Sequence, residues 1–439
     1  MNILHTSDWH LGQQLYTKRR YGEFEKFLNW LLETIDREKI DCLIVAGDIF
    51  DTTTPSPTAQ QLYFRFLAKV VESCCRHVVI VAGNHDSSAL LDAPSMLLES
   101  LDIHVVSRIA DLDNLPNELD REMLILKTRD NLPELLVCAV PFLRDQDVRK
   151  SQPNESWEEK RQNHIEGVRE HYRLLAEEAL RLQEQFSTEK PDLPPVPILA
   201  TGHLLTVGGK AVEGDAVREL FVGSLGGVPA NVFSDCFDYV ALGHLHIPQK
   251  VDGSETIRYS GSPIPMGFNE AEREKFVFRV QIESVSGGNS SAGNGVNNEC
   301  CVQMIPVPCF QRLKQLKGDW KTIESGIESL RKELDPDASD TIWLEIDYNG
   351  DLLSDLQARI DKAIDNSQIE VLRLLNRPRM LKEHLGDFSE ESQTLADLSV
   401  EDTFQRCLES SAISKERHGE ILQTFQELII EWHEKQTQA

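Results

Sequence analysis

Residues 42–51 carry the strongest structural signal in the sequence and read Cys-Leu-Ile-Val-Ala-Gly-Asp-Ile-Phe-Asp. Its five consecutive apolar residues, 42–46, predict a short strand that is buried on both faces. A glycine and two aspartates follow directly, so charged side chains stand where the strand ends. This combination predicts a layered α/β domain with a ligand site beyond the carboxyl end of the strand.

The same apolar pattern recurs along the first 280 residues or so. Further strand-like runs occur at residues 3–6, 78–82, 135–140, 196–200 and 239–242. Apolar residues at helical spacing predict helices at about 21–38 and 58–75, and a long charged helix is predicted at about 156–186. Buried strands that alternate with helices predict a sheet layer covered by helices on either side.

The composition limits the possible functions. The chain has 439 residues, with 45 Lys and Arg against 72 Asp and Glu, and a net charge of −27. Such a charge repels polyanions, so a chain of this kind needs metal ions, local basic patches or a partner to act on nucleic acid. The amino terminus lacks a signal-peptide pattern, and an odd number of cysteines without a disulfide or zinc pattern suits reduced thiols. These features predict a cytoplasmic protein.

The remainder of the chain predicts further domains. Residues 284–298 are rich in Gly, Ser and Asn and predict a flexible surface loop. Strand and helix patterns from 301 to 375 predict a small α+β module, and two helices are expected near 400–410 and 414–435. The last helix has one apolar face, which either packs on its own domain or docks another protein. The expected domains are therefore 1–282, a loop at 283–300, a module at 301–380 and a helical tail at 381–439.

Five short polar motifs each follow a buried strand. They are Asp8-Trp9-His10, Gly47-Asp48-Ile49-Phe50-Asp51, Gly83-Asn84-His85-Asp86, Gly202-His203 and Gly243-His244-Leu245-His246. We expect them to converge, because neighbouring parallel strands present their carboxyl ends at one edge. Four carboxylates, five imidazoles and one carboxamide exceed what one ion needs, and predict two divalent ions that share a carboxylate. Nitrogen and oxygen donors without thiolates favour Mn, Fe, Co or Zn, and suit Mg less well.

Taken together and in this order, the motifs resemble the signature of the calcineurin-like metallophosphoesterases. That resemblance implies a two-sheet β sandwich flanked by helices. The segments 1–12, 46–51, 82–87 and 259–265 are similar to one branch of that family, the bacterial SbcD nucleases. This similarity implies that the α+β module is a DNA-recognition cap. It also implies that the helical tail docks an SbcC-like coiled-coil ATPase.

The resemblance also assigns roles to individual residues. It implies that the first ion is held by Asp8, His10, Asp48 and His246. It implies that Asp48 bridges to a second ion, completed by Asn84, His203 and His244. His85 is expected to face the scissile phosphate, where it stabilises charge or protonates the leaving oxygen, and Asp51 is expected to orient His85. A water molecule activated by the ions is the expected nucleophile.

Several residues near the motifs leave two interpretations open. Lys18, Arg19 and Arg20 form a basic cluster that either contacts DNA phosphates or is a solvated helix start. Asp86 is either a site residue or a carboxylate that stabilises a turn.

The histidines outside the motifs have simpler interpretations. His5, His77 and His104 lie within or beside strands. They are interpreted as ordinary packed or edge residues.

The predicted function is a Mn-dependent, two-metal DNA nuclease that takes part in DNA repair, recombination and replication. By resemblance it acts as a 3′→5′ exonuclease on double strands and as an endonuclease on single strands or hairpins. It is expected to form a homodimer bound to two ATPase subunits. A metallophosphoesterase that acts on a small phosphodiester or a phosphoprotein is the alternative, because the ligand set alone does not separate the two. A non-enzymatic scaffold is disfavoured, since every expected ligand is present.

Overall fold

A computed structural model describes residues 1–109, 119–150, 155–207, 227–284, 298–334 and 341–377. Among these residues, no helix combines the length and apolar character needed to cross a membrane. The two tail helices expected beyond residue 400 lie outside the described residues, as does most of the Gly/Ser/Asn-rich segment.

Strands and helices alternate through the described part of the chain. The strands are β1 (Asn2–Thr6), β2 (Gln14–Leu15), β3 (Lys18–Arg19), β4 (Cys42–Ala46), β5 (His77–Val81), β6 (Ile103–Val106), β7 (Met123–Lys127), β8 (Pro133–Cys138), β9 (Ile198–His203), β10 (Tyr239–Gly243), β11 (Gln249–Lys250), β12 (Ile257–Tyr259), β13 (Lys275–Ser284), β14 (Asn298–Val307), β15 (Arg312–Gly318), β16 (Ile342–Tyr348) and β17 (Ile369–Asn376). The helices are α1 (Tyr21–Glu38), α2 (Pro57–Val71), α3 (Ser88–Asp92), α4 (Ser95–Glu99), α5 (Asp145–Val148), α6 (Trp157–Glu189), α7 (Trp320–Glu333) and α8 (Leu356–Ile364).

Two six-stranded sheets form the body of the protein. The first has the strand order β14-β13-β1-β4-β5-β6 and the second has the order β11-β12-β10-β9-β8-β7. Strands β1, β4, β5 and β6 run parallel in the first sheet, and β8, β9, β10 and β12 run parallel in the second. Each sheet therefore presents several carboxyl strand ends at one edge.

Alternate residues of each central strand enter different cores. In β4, Leu43 and Val45 join a core with helices α1 and α2, whereas Cys42 and Ile44 face the second sheet. Helix α6 covers the outer face of the second sheet with residues such as Tyr172. Because side chains alternate across a strand, a strand that is apolar at every position fits between a helix layer and another sheet. The expected two-sheet sandwich flanked by helices is confirmed.

Local signals explain where the main helices begin. The side chain of Ser56 accepts a hydrogen bond from the Ala59 amide, and Pro57 occupies the first turn of α2. Ser156 and Glu159 form a reciprocal capping box at the start of α6. Both helices therefore start at residues whose side chains satisfy exposed backbone amides.

The end of the first sheet differs from the sequence prediction. Residues 301–307, expected to open the α+β module, instead belong to β14, which pairs antiparallel with β13 from Lys275↔Val307 to Ser284↔Asn298. The expected boundary between 282 and 301 thus falls inside one hairpin of the first sheet. The apolar pattern indicated a strand correctly, but a pattern within one strand carries no information about its partner.

The module itself contains three strands in the order β15-β16-β17 and the helices α7 and α8. Part of it forms a separate compact unit, which among the described residues comprises Leu316–Ser329, Ile346–Asp365 and 374–377. Within that unit, Ile323 and Ile327 are the buried apolar residues of α7, and Leu356 and Ile360 are those of α8. Each pair has the helical spacing expected for a helix with one buried face.

Gly167 lies in helix α6, where alanine usually favours the helix. Gly167→Ala is nevertheless expected to destabilise the protein. A Cβ atom there would lie 2.1 Å from the carbonyl oxygen of Val148. Overpacking of this kind costs ~1–3 kcal/mol, which outweighs the ~1 kcal/mol of helix propensity that alanine gains. Urea unfolding of the full chain measures the change in the free energy of unfolding.

Gly22→Ala is the matched control, because Gly22 lies in helix α1 and no described atom comes within 4 Å of the added Cβ. Its stability should stay the same or rise by ~0.5–1 kcal/mol. Equal unfolding midpoints for the two variants would contradict the packing between α5 and α6.

Candidate metal centre

The five motifs meet at the carboxyl ends of strands from both sheets. Strands β1, β4 and β5 are neighbours in the first sheet, and β9 and β10 are neighbours in the second. Three groups of side chains each offer ligand atoms within 4.8 Å of one another. The groups are Asp8, His10 and His246; His10, Asp48 and His85; and Asp48, His203 and His244. The side chains brought together in this way are those that the motifs predicted.

The backbone adopts an uncommon conformation at four of these positions. Asp8, His10, Asp48 and His244 have φ angles of 52°, 48°, 51° and 100°. A non-glycine residue in the left-handed region costs free energy, and such strain persists where surrounding structure enforces it. Here, hydrogen bonds between the loops after β1 and β4 enforce it, including His10 N–H to the Asp48 carbonyl at 3.0 Å.

Two glycines allow the sheets to approach each other at the site. A Cβ atom on Gly47, which has a φ of 90°, would lie 2.1 Å from Nδ1 of His203. A Cβ atom on Gly243 would lie 1.9 Å from the carbonyl oxygen of Ala46. Any larger residue would therefore separate the loops that carry the two halves of the cluster.

The orientation of His203 is fixed by the backbone. Its Nδ1 donates to the carbonyl oxygen of Ala46 at 2.9 Å, so Nδ1 carries a hydrogen. Nε2 then points at Oδ2 of Asp48, 3.2 Å away, and at Oδ1 of Asn84, 3.0 Å away. Nδ1 of His244 lies 3.0 Å from the same Asn84 oxygen. A ring held by a carbonyl through one nitrogen, with the other aimed at oxygen donors, is the usual arrangement of a metal-ligating histidine.

The other half of the cluster places two imidazoles edge-on to each other, with their Nε2 atoms close together. Nε2 of His10 lies 3.2 Å from Nε2 of His246, and 3.6 Å from Oδ2 of Asp48. Two nitrogens that bind one ion at ~2.1 Å and at a right angle lie ~3 Å apart, so this spacing suits a shared cation. The buried Asp8 carboxylate accepts hydrogen bonds from the Ser7 hydroxyl and, at 2.9 Å, from the His244 amide.

The charges of the cluster are strongly coupled. Burial would raise the pKa of Asp48, but the neighbouring His203 and His10 hold that pKa well below its usual range. Burial would lower the pKa of His203, yet the Asp48 and Asp8 carboxylates raise it to about 9. Burial and the nearby His203 lower the pKa of His244 to about 3. Without metal, a proton therefore lies between Nε2 of His203 and the Asp48 carboxylate. A divalent cation can replace that proton and bind both atoms.

These observations fit divalent metal ions. The donors are nitrogen and oxygen atoms, most of them lie on buried side chains, and backbone contacts preset their orientation. Asp48 is shared by two of the three groups, so its carboxylate lies between the two halves of the cluster. Buried carboxylates and imidazoles in this density are costly unless they are paired or coordinate cations.

Comparison with known proteins gives the same result. Residues 1–248 match the calcineurin-like phosphoesterase family, and residues 309–412 match a family described as the type 5 capsule protein repressor C-terminal domain. The chain is 37% identical to the SbcD protein of nuclease SbcCD from Escherichia coli K12 over 97% of each chain. It belongs to the SbcD family of calcineurin-like phosphoesterases.

Two further comparisons show lower identity. The SbcD protein of nuclease SbcCD from Bacillus subtilis is 27% identical over 98% of this chain and 97% of its own. A dimetal phosphatase structure from Danio rerio aligns over 64% of this chain and 94% of its own at 13% identity, with a TM-score of 0.34. A likeness that low carries no argument. The calcineurin-like phosphoesterase fold of the SbcD family implies divalent metal ions, in agreement with the clusters above.

Asp51 lies at the centre of this SbcD-family site, in a different arrangement from the expected one. Its backbone carbonyl oxygen accepts a hydrogen bond from Nδ1 of His85 at 2.9 Å. Its carboxylate lies 3.5 Å from Nδ1 of His10. The sequence predicted proximity of Asp51 to His85, but it did not indicate that the backbone would make the contact.

Asp86 holds two ligand-bearing loops together. Its buried carboxylate accepts hydrogen bonds from the amides of Gly83 (2.8 Å), Phe50 (3.0 Å) and Ile49 (3.1 Å). Burial, followed by the charge on Asp48, raises the pKa of Asp86 to about 6. This arrangement agrees with the turn-stabilising interpretation, because the carboxylate binds the Gly83 amide in the loop after β5. The carboxylate also binds two amides in the loop after β4.

A buried ion pair behind His246 was missed from the sequence. The ammonium group of Lys275 contacts the carboxylate of Glu270, and it also donates to Ser262 Oγ at 2.8 Å and to the His246 carbonyl at 3.2 Å. Oε1 of Glu270 lies 3.7 Å from Nδ1 of His246. Glu270 and Lys275 are 0% and 5% exposed, and nothing in their local sequence distinguishes them from surface residues.

The segment 259–265, which carried part of the resemblance, lies behind the same cluster. Ser260 Oγ lies 2.7 Å from Ser7 Oγ, and Ser7 in turn donates to Asp8. Ser262 binds Lys275 as described above. The segment therefore supports the ligands without containing one of the predicted ligands itself.

The basic cluster before α1 requires one correction. Arg20 is 1% exposed, and its guanidinium donates to both carboxylate oxygens of Glu23 at 2.8 and 2.9 Å and to Gln13 at 2.6 Å. It is a buried structural residue, so neither interpretation left open for Arg20, a phosphate contact or a solvated helix start, agrees with its position. Lys18 forms an ion pair with Glu370 at 2.5 Å, and Arg19 is exposed.

Asp86→Asn is expected to lower both stability and metal affinity. An asparagine can accept through one oxygen only, so one of the three buried amides loses its acceptor, at a cost of ~1–3 kcal/mol. The loops that carry Asp48 and Asn84 are then less constrained. Urea unfolding in EDTA measures the first effect, and isothermal titration with Mn²⁺ measures the second.

Asp238→Asn is the matched control. Asp238 also accepts a backbone amide, that of Ile198 at 2.8 Å, but it lies at the amino ends of β9 and β10, away from the metal centre. This variant should keep its Mn²⁺ affinity and lose little stability, because Oδ2 of Asp238 accepts both the Ile198 amide and Asn298, and one asparagine oxygen can replace it. If both variants keep their Mn²⁺ affinity, Asp86 has no positioning role.

Glu270→Gln and Lys275→Met should each destabilise the protein by ~3–5 kcal/mol, because each leaves a buried charge without its partner. The double variant should recover much of that loss, since it contains neither charge. A double-mutant cycle of urea unfolding measures the coupling. Additive losses in the double variant would show that the two side chains do not act as a pair.

Proposed function

We propose that this chain is the nuclease component of an SbcCD-like complex. In this proposal it is a Mn-dependent two-metal phosphodiesterase that degrades double-stranded DNA 3′→5′ and cleaves single-stranded or hairpin DNA, in repair, recombination and replication. The observation that carries the proposal is the position of Asp48, whose buried carboxylate is shared by two groups of potential ligands. Two ions held at such a site would stabilise both the attacking and the leaving oxygen of an in-line displacement at phosphorus.

The proposed ligand sets are those that the family resemblance implies, and the distances between the side chains support them. The first ion would be held by Asp8, His10, Asp48 and His246, and the second by Asp48, Asn84, His203 and His244. When bound, the ions supply Lewis acidity and lower the pKa of water toward neutrality. Imidazole-rich mixed donors support Mn²⁺ over Mg²⁺, which prefers oxygen.

His85 is the proposed proton donor or charge stabiliser at the scissile phosphate. Its amide donates to Oδ1 of Asp48 at 3.0 Å, and its Nδ1 donates to the Asp51 carbonyl, so the ring is anchored at two points. The ring also packs edge-on against His10, with 5.0 Å between centroids. Because Nδ1 is engaged by a carbonyl, Nε2 is the atom that would hold the proton for the leaving oxygen.

The charge balance supports a complex. A net charge of −27 opposes DNA binding, and the relatives are named as one component of nuclease SbcCD. We therefore propose that an SbcC-like coiled-coil ATPase docks the tail at 381–439 and supplies DNA-binding surface to a dimer of these chains. Lys18 and Arg19 are the remaining proposed phosphate contacts, and the α+β module is the proposed DNA-recognition cap.

The proposed location is the cytoplasm. All eight cysteines among the described residues are free thiols. This suits a reducing compartment.

His85→Gln separates catalysis from metal binding. We expect it to lower the rate of Mn-dependent cleavage of hairpin DNA by ~10²–10⁴-fold, the usual contribution of a general acid, while the Mn²⁺ content stays at the wild-type value. Asp48→Ala should lose both ions and all turnover, because it removes the shared ligand. Elemental analysis of the purified chain and gel assays on hairpin DNA give the two readouts, with and without the ATPase.

Bis-p-nitrophenyl phosphate and a phosphoprotein serve as comparison substrates. If either is cleaved well while DNA is not cleaved even with the ATPase present, the alternative phosphoesterase function is correct. Unchanged metal content in Asp48→Ala would contradict the bridging assignment.

A further inference from the structure

A second group of potential metal ligands lies at the opposite end of the first sheet. His77 opens β5, His104 is the second residue of β6, and Asp102 directly precedes β6. One ligand atom of each lies within 4.8 Å of one from each of the others. The strands are parallel and the metal centre follows the carboxyl end of β5, so this group lies at the amino ends of the strands.

The two histidine side chains point to the same face of the sheet. The register pairs Val79 with His104, and side chains alternate along each strand, so His77 and His104 share the face of Val79. Asp102 precedes β6, and the distances between ligand atoms place its carboxylate beside them. Val79 belongs to the core between the two sheets. Consistent with this direction, Nε2 of His77 reaches the carbonyl oxygen of Lys127 in β7 of the second sheet, 2.9 Å away.

This contact determines which nitrogen of His77 is available. A carbonyl oxygen only accepts, so Nε2 carries the hydrogen and Nδ1 of the neutral ring carries a lone pair. Nδ1 is buried without a hydrogen-bond partner, His77 is 6% exposed, and Nδ1 lies 4.0 Å from Oδ1 of Asp102. The buried lone pair of Nδ1 thus faces an oxygen of the exposed Asp102 carboxylate, and a cation between these two atoms would satisfy both.

The other two residues complete a set of three potential ligands. Burial, followed by the neighbouring His77, lowers the pKa of His104, which keeps a lone pair on its ring at neutral pH. Asp102 is exposed and has a φ of 57°, so its carboxylate is held at the rim of the group by a left-handed backbone. Two imidazoles and one carboxylate resemble the three-residue sites that bind Zn²⁺ with water in the fourth position.

We propose that His77, Asp102 and His104 form a binding site for a divalent transition metal, best suited to Zn²⁺ and separate from the proposed catalytic pair. The Lys127 carbonyl acts on this site as the backbone contact that orients a ligating imidazole. A bound ion connects β5 to β6 directly and to β7 through His77. Its role is therefore structural, at an edge where the two sheets meet.

The test counts Zn²⁺ equivalents in the full chain. Purified wild-type protein, Asp102→Asn and His104→Gln are each saturated with Zn²⁺, freed of excess metal and analysed for bound zinc. We expect both variants to hold one equivalent less than wild type, whatever number the catalytic cluster takes. Mn-dependent turnover of bis-p-nitrophenyl phosphate should be the same in both variants as in wild type. A lower zinc content can then be assigned to this site, because the catalytic cluster still functions.

Asp252→Asn is the matched control for the loss of an exposed, left-handed aspartate. Asp252 has a φ of 49°, is exposed, and belongs to none of the metal-ligand groups found among the described residues. It should retain the wild-type zinc content. Equal zinc content in wild type, Asp102→Asn and His104→Gln would overturn the proposal.

Discussion

The buried carboxylate of Asp48 is the group on which the rest of the site depends. It carries a negative charge at 2% exposure, which is tolerated only because imidazoles from both sheets surround it. His10 approaches it from the loop after β1, and His203 approaches from the end of β9. The two sheets must therefore meet closely at this edge, and the glycines at 47 and 243 make that approach sterically possible.

The same constraint explains why the loops of the site are restrained from several sides. Four site residues occupy left-handed backbone conformations, and such conformations relax unless neighbouring structure prevents it. The core between the sheets, the hydrogen bonds of Asp86 and the ion pair of Glu270 with Lys275 all restrain the loops from behind. Restraint of this kind fixes donor atoms before a cation or a substrate arrives, so binding does not have to order them.

The sequence predicted the parts of the site that depend on local pattern. Buried strands followed by Gly-Asp, Gly-Asn-His or Gly-His carry their signal within a few residues, and the order of strands in an α/β fold brings such ends together. The supporting contacts depend on distant partners and were not predictable in the same way. Lys275 is separated from the His246 carbonyl by 29 residues, and Arg20 is buried by a pair with Glu23 that resembles a surface pair in the sequence. The pairing of β14 with β13 was missed for the same reason, because a strand pattern does not name its partner.

Charge gives the last connection between structure and function. A chain with a net charge of −27 repels the DNA backbone at long range, yet within the cluster the imidazoles offset the aspartates, and divalent ions would make the site locally positive. Under the proposed function, attraction of a phosphodiester would therefore be confined to the neighbourhood of Asp48 and His85. Another surface would have to deliver the DNA to that site, which is a physical reason for proposing that such a chain works as one part of a larger assembly.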